Sequence, residues 1–204
     1  MRVLRPSPWN DFAAFMTKLA WYTPVYWVLL AAALAIAVLA WRRLPAQRSA
    51  HGVGILVLRL LVGGMWWEQS LWKVPPNYDG LLYWMKQMTE HAAVVPQGQF
   101  VADAVIPNIA LFGPLVYLAE VAIGVSLTLG LFSRLGALAG LLMALNLWLG
   151  LYSAPNEWPW TYGFLIIIQG LFLIDPPGRW LGADALLRVG SERPRLRRIA
   201  LVAG

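Results

Sequence analysis

Five long apolar segments dominate the chain, at residues 24–41, 53–72, 108–132, 135–152 and 158–174. Each has nearly the length that a helix rising 1.5 Å per residue needs to cross a hydrocarbon layer roughly 30 Å thick. Polar and charged residues concentrate in the connections between these segments. The pattern therefore predicts an all-α integral membrane bundle of five helices, with the lipid bilayer as its immediate partner.

Composition supports the same conclusion. Hydrophobic residues make up 59% of the 204 residues and charged residues only 13%, whereas a soluble domain carries about a quarter charged residues. Twelve tryptophans suit a bilayer, because an indole ring prefers the membrane interface, where its N–H meets water. The length allows one compact bundle and leaves no room for a separate soluble domain.

The distribution of basic residues predicts the orientation of the bundle. One side of the membrane collects ten arginines, and the other collects Arg2, Arg5, Lys18, Lys73 and Lys86. Because cytoplasmic connections are enriched in Lys and Arg, the N-terminus is expected outside and the C-terminus inside. The net charge of +6 comes largely from the tail at residues 188–204, which we interpret as a cytoplasmic anchor and not as a nucleic-acid binding site.

The segments divide the chain into four regions. Residues 1–22 form an N-terminal interfacial segment, with a short amphipathic helix at 9–18. Residues 23–52 hold one transmembrane helix and a cytoplasmic loop, and residues 53–187 form a four-helix membrane domain. Within that domain the long connection 73–107 is extracytoplasmic, and its aromatic stretch 78–88 predicts a helix across the outer mouth of the bundle. This helix is either a functional lid or a passive interfacial element.

Two opposite charges lie deep within neighbouring apolar segments. Charge inside a bilayer is costly and usually functional. Arg59 is roughly 9 Å from the cytoplasmic start of its segment and Glu120 is near the middle of its own, so we predict an Arg59–Glu120 ion pair. Alternatively, Arg59 extends to the inner surface and Glu120 is protonated. Gly63 and Gly124, each four residues after one of these charges, predict a close helix contact.

Other polar and aromatic residues predict a ligand site around this pair. Asn146 and Gln169 lie within the fourth and fifth segments, where they either bridge helices or bind a ligand. Quinone carbonyls need hydrogen-bond donors, and quinol formation needs a proton carrier such as a buried carboxyl group. We therefore predict a quinone site with Glu120 and Arg59 as its catalytic residues. The predicted quinone-binding residues are Arg59, Trp66, Glu120, Asn146, Trp160 and Gln169.

The chain contains no cysteine. This excludes disulfides, thiolate metal sites, iron–sulfur clusters and covalently attached haem in this chain. Its two histidines, His51 and His91, lie outside the apolar segments, so we expect no metal and no haem. A redox role would therefore depend on a diffusible quinone or on a cofactor held by a partner.

The ordered set of motifs from residue 59 to residue 187 resembles the DoxX family, which includes the small DoxD-type membrane subunit of thiosulfate:quinone oxidoreductase. The set comprises Arg59 with Gly63, then Lys73, the stretch 119–131 with Ser133 and Arg134, Asn146, and the closing stretch 177–187. The resemblance implies a four-helix core formed by the second to fifth segments, with the first segment as an addition. It also implies a bacterial or archaeal plasma membrane, a quinone, a partner protein subunit and oxidation of a sulfur compound such as thiosulfate.

Three functions are compatible with these features. The first is a membrane subunit of a quinone-linked oxidoreductase, with a quinone and proton site inside the bundle. The second is a noncatalytic subunit that anchors or assembles a larger complex, and the third is a carrier for a small solute or lipid. Bound quinone, a co-purifying partner, and transport in proteoliposomes would distinguish them in that order.

Overall fold

The computed structural model describes residues 22–190, together with positions 10, 13, 14, 17, 203 and 204. Most of the interfacial helix predicted at residues 9–18, and residues 191–202 of the predicted basic tail, lie outside the described residues. The described part consists of helices and their connections and contains no strand, so the prediction of an all-α bundle is confirmed.

Eight α-helices follow one another along residues 22–190, and two of them continue as other helix types. The 3₁₀ turn Leu71–Lys73 extends α2, and the π-helical turn Val101–Val105 extends α4. The helices are α1 (Tyr22–Arg43), α2 (Ala50–Ser70), α3 (Asp79–His91), α4 (Val95–Phe100), α5 (Ile109–Leu129), α6 (Ser133–Gly150), α7 (Pro159–Ile174) and α8 (Ala183–Gly190).

The five predicted apolar segments correspond to α1, α2, α5, α6 and α7. Four of these helices are long and apolar enough to cross a membrane, and α7 is a shorter apolar helix of 16 residues, which covers roughly 24 Å. Such a set of helices identifies a multi-pass membrane protein.

The helices alternate in direction and so define two ends of the bundle. The most extensive contacts join α2 to α5 and α6 to α7, while α1 packs against α5 and α8. We call one end the cap end, because the connection of residues 74–107 covers it. The other is the basic end, where α1, α5 and α7 finish and where six described arginines lie: Arg42, Arg43, Arg48, Arg134, Arg179 and Arg188.

Two glycines allow α2 and α5 to touch through their backbones. A Cβ atom added at Gly63 would lie 2.5 Å from Thr128 Oγ1 and 2.8 Å from Thr128 N, and one added at Gly124 would lie 3.0 Å from Trp67 N. The two distances at Gly63 are shorter than real Cβ contacts, and the distance at Gly124 is shorter than most, so glycine allows the close approach at both positions. The close helix contact predicted at Gly63 and Gly124 is confirmed.

The Gly63→Ala variant should therefore lose stability. Its methyl group would meet backbone atoms, which cannot rotate away, and we expect a cost of about 2 kcal/mol from this overpacking. The matched control is Gly54→Ala on the same helix, where an added Cβ has no neighbour within 4 Å; this variant should be at least as stable as the wild type, because alanine favours a helix more than glycine does. Thermal unfolding in detergent measures both, and equal stability of the two variants would contradict the packing argument.

The 74–107 connection forms a cap made of two helices, α3 and α4. The inward face of α3 buries Leu81, Met85 and Met88, which pack against Val101 and Leu151. At the far edge of the cap, Ala93 N donates a hydrogen bond of 2.7 Å to the Leu149 carbonyl oxygen of α6. The helix predicted at residues 78–88 is present as α3, and a second helix follows it.

Candidate functional site

A cavity of about 560 Å³ lies beneath the cap, between the cap helices and the bundle. Its walls come from α2, α5, α6 and α7 and from both cap helices. The apolar lining includes Met65, Met85, Met88, Met143, Phe100, Phe112, Trp66, Trp72 and Trp84.

The charged centre of this cavity is an ion pair between Lys73 and Glu120. Lys73 Nζ donates to both carboxylate oxygens of Glu120, at 2.7 Å from Oε1 and 2.5 Å from Oε2. It also donates to the Gln69 carbonyl oxygen at 3.1 Å and lies 4.2 Å from the centre of the Trp72 ring. The side chains of Lys73 and Glu120 are 7% and 2% exposed, so water contributes little to the solvation of either charge.

The predicted Arg59–Glu120 ion pair is therefore wrong. Glu120 lies in the middle of α5, and the 3₁₀ turn after α2 brings Lys73 to it. Arg59 lies in the middle of α2, and its guanidinium donates instead to backbone carbonyl oxygens at the basic end of the bundle. The prediction assumed that a long arginine side chain would reach toward the middle of α5, and it overlooked the free carbonyl groups at the end of that helix.

Arg59 holds the C-terminal end of α5 at the basic end of the bundle. Its Nη1 donates to the carbonyl oxygens of Leu127 (2.9 Å) and Thr128 (2.5 Å), and its Nη2 donates to that of Leu181 (3.3 Å). The last carbonyls of a helix have no partner within the helix and carry partial negative charge. The fully buried Arg59 supplies both hydrogen bonds and positive charge to them.

Asp184 plays the complementary part at the start of α6. Its carboxylate accepts hydrogen bonds from Phe132 N (2.7 Å), Ser133 N (3.0 Å) and Ser133 Oγ (2.8 Å). Negative charge at a helix N-terminus is stabilising because the backbone N–H groups there are unpaired. Arg59 and Asp184 thus stabilise the two helix ends that flank the turn from α5 to α6.

The other predicted site residues divide between the cavity and the remainder of the bundle. Trp66 and Asn146 line the cavity, and Asn146 Oδ1 accepts a hydrogen bond of 2.9 Å from Gln97 of α4. Trp160 does not line it; this side chain is 61% exposed on the outside of α7. Gln169 is fully buried against Gly140 of α6, also outside the cavity wall. Three of the predicted quinone-binding residues do not line the cavity, so the prediction is wrong for them: Arg59, Trp160 and Gln169.

Two tryptophans of α2 have buried indole N–H groups without a hydrogen-bond partner among the described residues. Trp66 Nε1 belongs to a side chain that lines the cavity, whereas Trp67, whose ring stacks on Tyr26 at 5.9 Å, does not line it. An unpaired buried donor is costly unless a ligand or water accepts its hydrogen. Trp66 Nε1 is therefore a donor that a ligand in the cavity could use.

Sequence reasoning missed several residues of the cavity wall. It did not identify Lys73 as the partner of Glu120, and it did not single out Gln97 or Glu157. Glu157, in the loop before α7, accepts a hydrogen bond of 2.9 Å from the Tyr162 hydroxyl. The available signal was the amphipathic pattern of the 73–107 connection, whose apolar side had to cover something inside the bundle.

The fold and cavity define a class: a multi-pass helical membrane protein with an apolar, capped cavity that contains a buried ion pair. Residues 54–153 match the model of the DoxX family, and the chain belongs to that family. The predicted family resemblance is confirmed over this region, which spans α2 to the end of α6. No curated protein and no solved structure matches the chain significantly.

Proposed function

We propose that this chain is a membrane subunit of a quinone-linked oxidoreductase and that the cavity beneath the cap binds the quinone head group. One observation carries the proposal: a buried Lys73–Glu120 pair in the wall of a cavity that is otherwise mostly apolar and aromatic. Ligand sites commonly combine an apolar lining with a few convergent polar groups. A quinone matches this combination, because its ring is apolar and its two carbonyl oxygens accept hydrogen bonds.

The residues present fit such a ligand. Trp66 lines the cavity and carries a buried indole N–H without a partner among the described residues, and Asn146 and Thr161 line the cavity as well. The aromatic and methionine side chains would contact the ring, and methionine adapts to irregular shapes. Trp66 and Asn146 would orient the carbonyl oxygens. The cap would exclude water from the ring.

The Lys73–Glu120 pair is suited to handling protons. When bound, a quinone would accept two electrons and two protons and become a quinol. Within this chain the pair can hold a proton on Lys73 Nζ or on a Glu120 carboxylate oxygen, and these atoms are within hydrogen-bond distance. A general acid must lie within such reach of the group that it serves. We assign Glu120 the role of proton carrier at the cavity wall.

The electrons would come from a partner protein. The chain has no cysteine, so it cannot hold an iron–sulfur cluster or a redox-active thiol. We therefore propose a complex in which a partner oxidises the donor and this chain supplies the quinone site. An anchoring subunit and a solute carrier are the alternative outcomes of the experiment that follows.

The proposal is tested by purifying the chain in mild detergent and measuring bound quinone and associated proteins by mass spectrometry. We expect quinone to be retained by the wild type. In Trp66→Phe, quinone occupancy at limiting quinone should fall about fivefold, because one hydrogen bond contributes roughly 1 kcal/mol. The matched control is Trp67→Phe, which removes an equally unpaired buried N–H that does not line the cavity.

The outcomes separate the three functions. Equal quinone loss in Trp66→Phe and Trp67→Phe would contradict the placement of the ligand. A quinone-free wild-type protein with full electron transfer in its complex would contradict the quinone site itself and would favour an anchoring subunit. Solute uptake by proteoliposomes that contain only this chain would favour the carrier.

A further inference from the structure

The ionisable residues of the cavity wall leave one uncompensated negative charge. Three charged residues line the cavity: Lys73, Glu120 and Glu157. Lys73 and Glu120 neutralise each other at hydrogen-bond distance. Glu157 has the Tyr162 hydroxyl as its hydrogen-bond donor, and no basic side chain among residues 22–190 forms an ion pair with it.

The described residues around the cavity also carry a net negative charge. The described cap-end residues, from α2 across the cap to the loop before α7, include six carboxylates: Glu68, Asp79, Glu90, Asp103, Glu120 and Glu157. Only two lysines, Lys73 and Lys86, oppose them, and Lys73 is already paired. Clefts lined by one sign of charge concentrate ligands of the opposite sign and repel the others. Among the described residues of this end, an anion would therefore meet more carboxylates than lysines, both before and after entry.

The aromatic lining of the cavity also favours cations over anions. Trp66, Trp72 and Trp84 contribute ring surfaces to the cavity, and Lys73 already lies over the face of Trp72 at 4.2 Å. The faces of aromatic rings carry partial negative charge and attract cations, tryptophan most strongly. A lipophilic cation would thus meet favourable rings as well as the Glu157 carboxylate.

We infer that the cavity takes lipophilic ligands that are uncharged or positively charged and rejects anions, with Glu157 as the residue that sets this selectivity. The inference rests on the proposed function in one respect, that the cavity is the ligand site. It deepens that proposal by restricting the ligand class, and a neutral quinone belongs to the permitted class. An anionic electron donor such as thiosulfate would have to bind to the partner protein.

A matched pair of ions tests the inference. Tetraphenylphosphonium and tetraphenylborate have nearly the same size and shape but opposite charge, and equilibrium dialysis of the full chain in an uncharged maltoside detergent measures the binding of each. We expect saturable binding of the phosphonium ion at one per chain and no saturable binding of the borate ion. In Glu157→Gln the affinity for the phosphonium ion should fall about tenfold.

Two controls accompany the measurement. Glu68→Gln removes a carboxylate from the same end of the bundle outside the cavity wall, and it should leave phosphonium affinity within about twofold of the wild type. Since each variant is measured in the same detergent, partition of the ions into micelles cancels in the comparison. Size-exclusion profiles confirm that every variant is folded.

Any of three results would overturn the inference: borate bound as tightly as phosphonium, no saturable phosphonium binding, or an unchanged affinity in Glu157→Gln. Its failure is distinguishable from failure of the proposed function. Retained quinone without phosphonium binding would leave the quinone site standing, whereas phosphonium binding by a protein that never holds quinone would leave only the charge selectivity.

Discussion

The Lys73→Met variant is expected to lose about 3 kcal/mol of stability, because it leaves the Glu120 carboxylate buried without its cation. Lys73 donates to both oxygens of that carboxylate, and both side chains are almost fully shielded from water. Glu120→Leu should cost a similar amount, since it leaves the ammonium group of Lys73 unpaired. Reversible unfolding in mixed detergent and SDS micelles measures both losses.

The double variant, Lys73→Met with Glu120→Leu, should recover most of the loss. Replacing a whole buried ion pair by apolar residues of similar size is often neutral or stabilising, whereas removing one partner is not. The two single changes and the double change form a cycle that isolates the energy of the pair. Additive losses in the double variant would show that Lys73 and Glu120 do not interact, and would contradict the geometry.

The same cycle separates stability from function. If Glu120 carries protons to a bound quinone, the double variant should be folded yet inactive in quinone reduction by the assembled complex. Glu120→Gln, which preserves the shape of the side chain, should be inactive as well. A folded double variant with wild-type quinone reduction would show that the pair only supports the fold.

The second large effect is expected at the other end of the bundle. Arg59→Met should cost about 3 kcal/mol, because it leaves the Thr128 carbonyl buried without its donor and the Leu127 carbonyl with only the 3.2 Å bond from Gly130 N. It also removes the positive charge that faces Asp184 from within the bundle. The measurement is again unfolding in detergent. The quinone content of the folded fraction should stay unchanged, since Arg59 does not line the cavity.

Arg43→Met is the matched control for this prediction. Arg43 ends α1 at the same end of the bundle and is exposed, and exposed substitutions usually change stability by less than about 0.5 kcal/mol. If the two variants, Arg59→Met and Arg43→Met, had the same stability in the unfolding measurement, the helix-end role of Arg59 would be wrong. If it lost quinone while remaining fully stable, Arg59 would belong to the ligand site after all.

The two intramembrane charges that looked alike in the sequence therefore have different tasks. Arg59 holds the end of α5 and works together with Asp184 at the turn into α6. Glu120 faces a cavity and pairs with Lys73. The closing motif at residues 177–187 now has a structural explanation, because a Cβ atom at Gly178 would collide with the Gly130 carbonyl oxygen. Gly178 has to be glycine for this turn to pack against the end of α5.

The sequence predicted the helices well because length and hydropathy act locally. Every apolar segment is a helix, with bounds that differ from prediction by a few residues. The contact at Gly63 and Gly124 was also predictable, since small residues one turn beyond the charges mark a helix face. The partner of each charge was not predictable, because it depends on the relative height and rotation of separate helices.

The amino-acid sequence by itself determined that this chain is a membrane-spanning bundle, since no other solvent accepts so many consecutive apolar residues. It also determined which of its helices approach closely and that it contains no thiol chemistry. Only the tertiary structure decided which charges meet and where a cavity remains. The 3₁₀ turn after α2 carries Lys73 to Glu120, and the cap encloses a space whose walls come from six separate helices. Such contacts join residues far apart in the chain, so local pattern alone does not specify them.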